Sequence, residues 1–483
     1  MIRRKLTCAG LLMIFCFVCV GTLRAQTSSP FRPPDEKLGR YVVNSGPGLD
    51  TGCTFRSGGP LIINIKIPAT MNPKELNPDG TLKEPDKLTR SGVIGYEAKI
   101  DFPVYDIDSG ATTNGYAPEV DYVSFNGKRL PRTLSGINDT WTNDSVTVPI
   151  SEIKFNADNE LRIDIDQGNL GGYEYWCMAV DWVSVEFEAA APYVLMHGID
   201  ADASTWDDGK SPRVIQALDE AGVLWTRFST GKNELSNTNA RDLEKQINAF
   251  LQPLKGDKVH IIAHSKGGLD AQALAASAPP FKILSLVTLS TPHYGSVAAD
   301  LSIIQKENAK DKVNSGEDPN GFASNYIGMW TFGQGPQLPG LRDLTTYAAS
   351  SAIISGLRGT IKPTYSFGAN ADINGNNKID MAEAASLFKY DSYHAERVWR
   401  VLRDFTSAPI VSTSTKPGLL WGTKTVLTYQ TNPGGPYDND IVVTTNSANP
   451  SYATSIGDVF ANHATMKNGD LIIIILPLTL PLK

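Results

Sequence analysis

One segment of the chain, Val259-His-Ile-Ile-Ala-His-Ser-Lys-Gly-Gly268, has the pattern of a buried strand, a sharp turn and the beginning of a helix. Its apolar run ends in Ala-x-Ser-x-Gly, and the small residues Ala263 and Gly267 would let the strand and the helix approach without a clash. A turn of this kind strains the backbone of the serine and lifts its hydroxyl above the sheet. Ser265 is therefore the candidate nucleophile.

The segments around this turn alternate between strand and helix patterns. Apolar runs predict strands at 193–196, 225–228, 259–263 and 283–289, and helices are predicted near 214–221, 239–254 and 269–278. Strands that alternate with helices imply a parallel sheet covered on both faces. The sequence thus predicts an α/β domain, with a mostly parallel sheet flanked by helices, over residues 191–470.

A serine hydroxyl is a weak nucleophile, so such a site also needs a general base and an acidic residue that orients it. Where the serine follows a strand in this way, the acid comes next along the chain and the histidine last. His293 follows Ser265 too closely to leave room for an acid between them. His463, in a loop-like stretch near the end of the domain, is preferred over His394, whose surroundings have the pattern of an amphipathic helix surface.

Four motifs resemble those of bacterial secreted serine lipases and esterases of the α/β-hydrolase superfamily. They are the turn at Ser265, where Ala263 replaces the family's usual glycine, and the segments His197-Gly-Ile199, Leu289-Ser-Thr-Pro-His-Tyr-Gly-Ser296 and Asn439-Asp-Ile-Val-Val443. The motifs occur in the family's order over roughly residues 191–466. The resemblance implies a secreted serine hydrolase of the carboxylesterase or triacylglycerol lipase type.

The resemblance also implies roles for single residues. Asp440 would orient His463, and the nearby Asp438, whose alternative interpretation is a turn residue, is its competitor. The backbone N–H groups of Lys266, directly after the nucleophile, and of Ile199, in the loop after the first strand, would bind the oxyanion of the tetrahedral intermediate. The substrate would be an ester, and a lipid ester is preferred.

From residue 41 to 188 the pattern is that of short strands. Apolar and polar residues alternate in runs such as 61–67, 119–125, 161–165 and 180–187, with Gly, Pro, Asn and Asp between them. This pattern predicts an all-β sandwich, and the strands and turns of 120–182 resemble galactose-binding-like jelly-roll modules of extracellular bacterial enzymes. The resemblance implies either a structural module packed on the enzyme, which is preferred, or a domain that contacts glycans.

Residues 372–383 have the spacing of an oxygen-ligand loop for a hard cation. Loop positions 1, 3, 5, 9 and 12, with the carbonyl of position 7, supply the candidate ligands Asp372, Asn374, Asn376, Asp380, Glu383 and Lys378. The loop resembles EF-hand and dockerin-type loops, with Asn377 where glycine is usual, and Asn tolerates the left-handed conformation needed there. A structural Ca²⁺ is expected, since the loop lies apart from the other motifs in sequence; a polar hairpin turn is the alternative. No organic cofactor is expected.

The N-terminus predicts export. Residues 1–25 combine a basic start, an apolar stretch and Ala25 before a plausible cleavage point, as a signal peptide does. An uncleaved membrane anchor is the alternative, although the apolar run is shorter than the ~20 residues that a spanning helix needs. The protein would be secreted or periplasmic, with a flexible leader at 26–40. Cys53 and Cys177 would then either form a disulfide in an oxidising compartment or remain free buried thiols.

The charge of the chain argues against one class of partner, and two further segments each have two interpretations. The formal net charge is −7 and no dense Lys/Arg run follows the N-terminus, so nucleic acid is a poor candidate partner. Residues 297–359 are by position either a lid over the active site or an inert cap. The apolar tail at 471–483 is either a buried strand or an unnatural end of the reading frame.

Three functions therefore remain open. A lipase acting on lipid esters is preferred, and a polyester depolymerase or a carbohydrate esterase is the alternative among enzymes. A glycan-binding surface protein with an inactive hydrolase domain is the alternative from another class, and the intact Ser/Asp/His set argues against it.

Overall fold

The computed structural model describes residues 29–44, 51–110, 117–168, 176–209, 213–299, 339–350, 358–385, 392–404, 410–417, 423–429 and 436–482, together with residues 356 and 387. The predicted signal peptide at 1–25 lies outside the described residues, and so do residues 300–338 of the predicted lid at 297–359. The described residues form an N-terminal region of antiparallel strands and a C-terminal region in which strands alternate with helices.

Two antiparallel sheets make up the described N-terminal region. The first contains β1 (Arg40–Asn44), β2 (Thr54–Phe55), β4 (Ile94–Tyr105), β7 (Trp141–Pro149), β9 (Cys177–Val180) and β10 (Trp182–Ala189), in the order β1-β10-β4-β9-β2 with β7 beside β4. The second contains β3 (Leu61–Ile67), β5 (Tyr122–Phe125), β6 (Lys128–Thr133) and β8 (Ala157–Asp164), in the order β3-β8-β5-β6. A short helix, α1 (Pro85–Arg90), lies where the sequence indicated no helix.

Residues of both sheets contribute to one buried hydrophobic cluster. In β3 every second residue is buried and the residues between are exposed, as alternation predicts. Its Ile63 and Ile65 belong to the same cluster as Ile100 and Phe102 of β4. These antiparallel sheets fit the predicted β region, whereas the sandwich arrangement and glycan contact stay predictions.

Cys53 and Cys177 form a disulfide, the first of the two predicted alternatives. Their Cα atoms lie 5.4 Å apart, and the bridge joins the residue before β2 to the first residue of β9 across 124 positions of sequence. Closing so long a loop stabilises the folded state by roughly 4–5 kcal/mol in the chain-entropy description. The bridge therefore fastens the edge of the first sheet.

A parallel sheet in the order β12-β11-β13-β14-β15-β18 forms the centre of the described C-terminal region. Its strands are β11 (Tyr193–Met196), β12 (Trp225–Phe228), β13 (Lys258–His264), β14 (Lys282–Leu289), β15 (Thr364–Asn370) and β18 (Thr454–Phe460), and β16 (Ile410–Pro417) and β17 (Thr423–Tyr429) form a separate antiparallel pair. The helices are α2 (Val214–Ala221), α3 (Ser236–Leu251), α4 (Gly267–Ala276), α5 (Pro339–Asp343), α6 (Thr346–Ser350), α7 (Ser392–Asp404), α8 (Thr445–Ala448) and α9 (Gly469–Thr479). The predicted fold class, a mostly parallel sheet flanked by helices and preceded by a β region, is confirmed.

The apolar tail contains helix α9 instead of the buried strand considered from the sequence. An uninterrupted apolar run has no periodicity, so strand and helix could not be distinguished from it. The Asn468 side chain caps the helix by accepting a hydrogen bond from the Asp470 amide (3.0 Å), and Ile472 and Ile475 are buried in the cluster that includes Leu218 of α2. Among the described helices, none has the length and apolar character needed to cross a membrane.

The two regions share a hydrophobic and polar contact. Met71 pairs with Val223, and the Asn72 amide donates a hydrogen bond to the Gly222 carbonyl (2.9 Å). The Asn72 side chain also donates to Asp219 (2.6 Å), and buried residues of both regions belong to one cluster. Part of the predicted leader takes part as well, since Glu36 forms an ion pair with Lys255 (2.7 Å). The N-terminal sheets are thus packed directly on the parallel-sheet domain.

Candidate active site

Ser265 lies in a sharp turn between β13, which ends at His264, and α4, which begins at Gly267. Its φ angle is +55°, a left-handed conformation that L-residues rarely adopt, and its amide donates to the Leu289 carbonyl at the end of β14 (2.9 Å). Gly267 is required for the close approach, because a Cβ there would lie 2.5 Å from the His197 carbonyl oxygen. The strained turn presents Ser265 at the carboxyl end of the parallel sheet, where open α/β sheets bind their ligands.

The side chains of Ser265, His463 and Asp440 form one hydrogen-bonded chain. His463 Nε2 lies 2.9 Å from Ser265 Oγ, and His463 Nδ1 lies 2.7 Å from Asp440 Oδ2. Because a carboxylate only accepts, Nδ1 carries the hydrogen in this arrangement and Nε2 is free to take the hydroxyl proton. All three residues are buried. The structure thus brings together the three residues that the sequence singled out from distant positions.

Backbone amides fix the orientation of the Asp440 carboxylate. Its Oδ1 accepts hydrogen bonds from the amides of Val442 (2.9 Å) and Val443 (2.6 Å), while Oδ2 faces His463. The turn that supplies these amides has φ +78° at Ile441, the position where the resembled family commonly has glycine. A β-branched residue is strained in that conformation, so the same turn forms here at a higher conformational cost.

The predicted oxyanion donors, Ile199 and Lys266, adjoin Ser265. Gly198, next to Ile199, approaches so closely that a Cβ on it would lie 2.7 Å from the Ser265 Cβ, and Lys266 is the next residue in the turn. Within the described ranges, neither of the two amides donates a hydrogen bond to another group. Both amides are therefore available to donate to an oxygen of a bound substrate.

His197 is held in a structural role. Its Nδ1 lies 2.8 Å from the Gly198 carbonyl oxygen, and its Nε2 accepts a hydrogen bond from the Thr230 amide (3.0 Å). Burial lowers the pKa of His197 below its ordinary value, which favours the neutral ring. With both ring nitrogens engaged, His197 orients the loop that carries Ile199.

The Lys266 side chain is buried in an ion pair below the turn. Its Nζ lies 2.6 Å from Asp270 Oδ1, one helical turn along α4, and Asp270 Oδ2 accepts a hydrogen bond from Asn239 of α3 (2.8 Å). Lys266 is 1% and Asp270 2% exposed. Because an unpaired buried charge is expensive, these groups stabilise each other and anchor the first turn of α4.

Two residues of the site were missed in the sequence. His264, which precedes the nucleophile, places its Nε2 2.8 Å from the backbone carbonyl oxygen of His463, with the two ring centroids 4.7 Å apart. Asn462 donates its side-chain amide to the carbonyl of Glu383 (2.9 Å). The position of His264 beside the serine was an available signal, whereas nothing in the local sequence marks Asn462.

The two alternative candidates lie elsewhere. His394 lies within helix α7, in agreement with the helical pattern of its surroundings. Asp438 is exposed, and its backbone carbonyl accepts a hydrogen bond from the Thr445 amide (2.9 Å), as expected of a turn residue. Burial and the charges of Asp458 and Asp372 raise the pKa of Asp438.

The predicted ligand loop folds around its own carboxylates. Asp372 accepts hydrogen bonds from the amides of Asn376 (3.0 Å) and Asn377 (2.9 Å), and Glu383 accepts two more from loop amides (3.0 and 2.9 Å). Asn377 has φ +59°, the left-handed conformation expected at its position. The loop geometry therefore follows from its short polar side chains, which satisfy the backbone.

The chemistry of this loop fits a hard cation. Asp372 and Glu383 are 5% and 3% exposed, and neither has a Lys or Arg ion-pair partner in the part of the chain that is described. Buried carboxylates without a counter-charge are costly, and a carboxylate oxygen that accepts one hydrogen bond keeps a second lone pair. Among the described groups, ligand oxygens of these two residues and of Asp380 do not all lie within 4.8 Å of one another.

A parallel sheet with a strained serine between a central strand and the following helix is the arrangement of the α/β-hydrolase fold. The C-terminal domain has the α/β-hydrolase fold. A family model described as palmitoyl protein thioesterase matches residues 192–327. The triacylglycerol lipase of Pseudomonas fragi is 30% identical over 110 residues, 23% of this chain and 37% of that protein. Triacylglycerol lipase 2 of Saccharomyces cerevisiae is 40% identical over 68 residues, 14% of this chain and 21% of that protein.

The chain thus spans only 37% and 21% of the length of these two relatives. Among solved structures, the mature form of Bacillus licheniformis lipase BlEst2 is 18% identical with a TM-score of 0.41, covering 60% of this chain and 92% of that chain. The metagenomic carboxyl esterase MGS0156 is 14% identical with a TM-score of 0.33, covering 57% of this chain and 65% of that chain.

Proposed function

We propose that this protein is a secreted carboxylic ester hydrolase, a lipase that acts on lipid esters. The observation that carries the proposal is the hydrogen-bonded chain from the Ser265 hydroxyl through His463 to Asp440, with distances of 2.9 and 2.7 Å. Such a chain activates a serine for acyl transfer, because the imidazole takes the hydroxyl proton while the carboxylate stabilises the imidazolium that forms.

In the first half of the reaction, Ser265 Oγ attacks the ester carbonyl carbon as its proton moves to His463 Nε2. The carbonyl oxygen becomes an oxyanion, to which the amides of Ile199 and Lys266 donate hydrogen bonds. The intermediate then collapses, the bond to the alcohol oxygen breaks, and His463 gives its proton to that oxygen. The acyl group remains on Ser265 as an ester.

In the second half, water attacks the acyl-enzyme carbonyl while His463 takes a proton from it. Collapse of this second intermediate breaks the acyl–Oγ bond, and His463 returns the proton to Ser265. The carboxylic acid then leaves. Asp440 keeps the imidazole oriented through both halves and does not itself become protonated.

The comparisons support a fatty acyl substrate. The two relatives are named as triacylglycerol lipases, and the matching family model is named for palmitoyl thioesters, so each name refers to the acyl chain of a lipid. An acyl thioester is therefore the second candidate substrate, favoured by the match over residues 192–327. Esters and thioesters pass through the same acyl-enzyme, and only the leaving group distinguishes them.

The purified protein and its Ser265→Ala variant test this proposal. A fluorophosphonate probe should label the wild-type protein and not the variant, and hydrolysis of p-nitrophenyl esters should require Ser265. Rates on p-nitrophenyl esters of increasing chain length, emulsified triglyceride, a palmitoyl thioester, polyester film and an acetylated glycan then assign the substrate. Absent labelling, together with unchanged ester hydrolysis in Ser265→Ala, would refute the serine mechanism.

Export to the periplasm or the medium is part of the proposal. It is supported by the signal-peptide pattern of residues 1–25 and by the disulfide between Cys53 and Cys177, since disulfides persist in oxidising compartments. N-terminal sequencing of the protein recovered from the producing cell's exterior should begin near Gln26. A chain that stays inside the cell with residues 1–25 attached contradicts export.

We also propose a structural Ca²⁺ in the loop 372–383. The side chains of Asp372, Asn374, Asn376, Asp380 and Glu383 and the carbonyl of Lys378 would hold it. The ion would supply the positive charge that the buried carboxylates lack. Isothermal titration with Ca²⁺ should give one binding event that Glu383→Gln abolishes. The site would be contradicted if the wild-type titration released or absorbed no heat and if Tb³⁺ did not compete with Ca²⁺ for binding.

The N-terminal sheets are proposed as a structural module packed on the hydrolase domain. Support comes from their contacts with that domain, which include the hydrogen bond from Asn72 to Gly222 (2.9 Å) and the ion pair between Lys74 and Asp219 (2.7 Å). A glycan array tests the alternative. Glycan binding by a protein that turns over no ester would favour the glycan-binding function instead.

A further inference from the structure

We propose that His264 is a positioning residue for the reaction described above, holding the base against the nucleophile through a hydrogen bond to the backbone carbonyl of His463. The inference rests on the proposed function, because it assigns His264 a part in that same site. His264 touches neither the reacting hydroxyl proton nor the Asp440 carboxylate in the hydrogen-bonded chain. Its contribution is to geometry.

His264 links the two halves of the site. It is the last residue of β13 and is covalently joined to Ser265, while its Nε2 lies 2.8 Å from the carbonyl oxygen of His463. The two imidazole rings lie 4.7 Å apart at an interplanar angle of 46°. The residue that precedes the nucleophile therefore also holds the loop that carries the base.

The hydrogen bond fixes which ring nitrogen of His264 carries a hydrogen, and burial keeps the ring neutral. A carbonyl oxygen only accepts, so Nε2 carries the hydrogen. Burial lowers the pKa of His264 well below its ordinary value and the charge of Lys467 acts in the same direction, whereas the hydrogen bond to the His463 carbonyl opposes the shift. His264 is thus a neutral donor that does not compete with His463 for the hydroxyl proton.

The His463 backbone is held on both sides. Its amide donates to the Asp440 carbonyl (3.0 Å), and its carbonyl accepts from His264. Loss of the second bond would leave the imidazole anchored from one side only, although it must reach both Ser265 and Asp440. A misplacement of about 1 Å in a reacting group can cost about 100-fold in rate, so turnover should suffer more than substrate binding.

The test compares three variants. His264→Phe keeps a planar ring and removes the donor, whereas the side-chain amide of His264→Gln can still donate to the carbonyl. The matched control is His260→Phe, which replaces a buried histidine of the same strand that pairs with Ser285 Oγ (2.8 Å). Each is assayed on a soluble p-nitrophenyl ester, with active sites counted by fluorophosphonate labelling.

We expect His264→Phe to lower kcat about 100-fold with KM within about 2-fold of wild type. His264→Gln should recover kcat to within about 10-fold, and His260→Phe should retain the wild-type kcat per labelled site even where it lowers the melting temperature. Hydrogen–deuterium exchange should show faster exchange at 462–466 in His264→Phe than in wild type or His264→Gln. If His264→Phe does not accumulate as folded protein, His264→Met provides the same loss of the donor.

Any one of three results overturns the inference, two of them kinetic. One is a kcat within about 2-fold of wild type in the variant without a donor, and the other is a His264→Gln variant as slow as that variant. Unchanged exchange at 462–466 would also contradict it. A wild-type protein that takes no label and hydrolyses no ester would instead refute the proposed function, and the inference would fall with it.

Discussion

The side-chain amide of Asn462 donates a hydrogen bond to the backbone carbonyl of Glu383 (2.9 Å), which ties the end of the loop 372–383 to the residue before the proposed base. At the beginning of the loop, the Ala371 amide donates to the carbonyl of Asn439 (2.9 Å), the residue before the proposed orienting acid. The loop therefore contacts the residue before the proposed base and the residue before the proposed orienting acid, although both are distant from it in sequence. Its conformation and the geometry of the site are expected to change together.

Chelation of Ca²⁺ should lower both stability and activity. At a free Ca²⁺ concentration about 100 times Kd, binding to the folded state alone stabilises it by about 2.7 kcal/mol, and EDTA removes that stabilisation. Differential scanning calorimetry with and without EDTA should show a lower melting temperature after chelation. Glu383→Gln should have a low melting temperature that EDTA does not change. Glu84→Gln, an exposed control, should lose melting temperature on chelation as wild type does. An identical response in both variants contradicts the loop as the binding site.

Asp440→Asn should reduce kcat by about 10⁴-fold, the loss that a triad of this kind shows when the wrong imidazole tautomer is stabilised. The volume of the side chain is retained, and Oδ1 can still accept from the amides of Val442 and Val443. Circular dichroism and the melting temperature should therefore change little. Kinetics on a p-nitrophenyl ester give the measurement.

Asp438→Asn is the matched control for that substitution. The residue lies two positions away and is exposed, so its loss of charge should alter kcat by less than about 2-fold. Equal losses in the two variants would mean that the Asp440 carboxylate is not the orienting acid.

Gly267→Ala should impair the site through its backbone. The added Cβ would lie 2.5 Å from the His197 carbonyl oxygen and 2.9 Å from that of Met196, and neither backbone atom can move without displacing the oxyanion loop. We expect a loss of about 1–3 kcal/mol in the free energy of unfolding and a fall of about 100-fold in kcat. Gly58→Ala is the control, because nothing lies within 4 Å of a Cβ there. Urea denaturation and ester kinetics compare them.

A buried acidic pair should make stability depend on pH. Glu119 and Asp121 are 3% and 0% exposed, and burial followed by the charge of Asp121 raises the pKa of Glu119 from 4.5 to about 9. The folded state therefore binds more protons than the unfolded state above pH 4.5. The free energy of unfolding should therefore fall as the pH rises from 4.5 to about 9.

Glu119→Gln weakens this dependence because the amide is neutral at every pH, while the pKa of Asp121, which burial raises to about 6, keeps part of it. Its melting temperature should exceed that of wild type at pH 8, by about 2–4 °C for each kcal/mol recovered, and approach it near pH 5. Glu97→Gln, an exposed control on β4, should follow wild type. A variant that melts below wild type at pH 8 would contradict the raised pKa.

Much of the fold could be predicted because its signals are local. The run before Ser265 is apolar and ends in small residues, and α2 and β12 have the bounds 214–221 and 225–228 that were predicted. The positions of Asp440 and His463 were accessible for a different reason. Their motifs resemble those of a known family, which supplies the long-range pairing that local patterns do not contain.

The remaining features depend on tertiary contacts. Helix α9 has no polar face in its sequence, and its packing against α2 and β14 decides that it is a helix. The bond from His264 to the His463 carbonyl joins residues that come close only after folding. The hydrogen bond from Asn462 to the loop 372–383 also joins residues that are distant in sequence. The same is true of the close contact between Gly222 and Leu88.

The contact between Gly222 and Leu88 has a consequence for folding during synthesis of the chain. Leu88 Cδ2 would lie 2.3 Å from a Cβ at Gly222, and Met71 pairs with Val223, so the apolar edge that Met71 and Leu88 of α1 give to the N-terminal region is completed by residues synthesised much later. On the ribosome, or in an export channel, this edge stays uncovered until residue 223 has emerged. Unpaired apolar surface of this kind promotes aggregation of nascent chains.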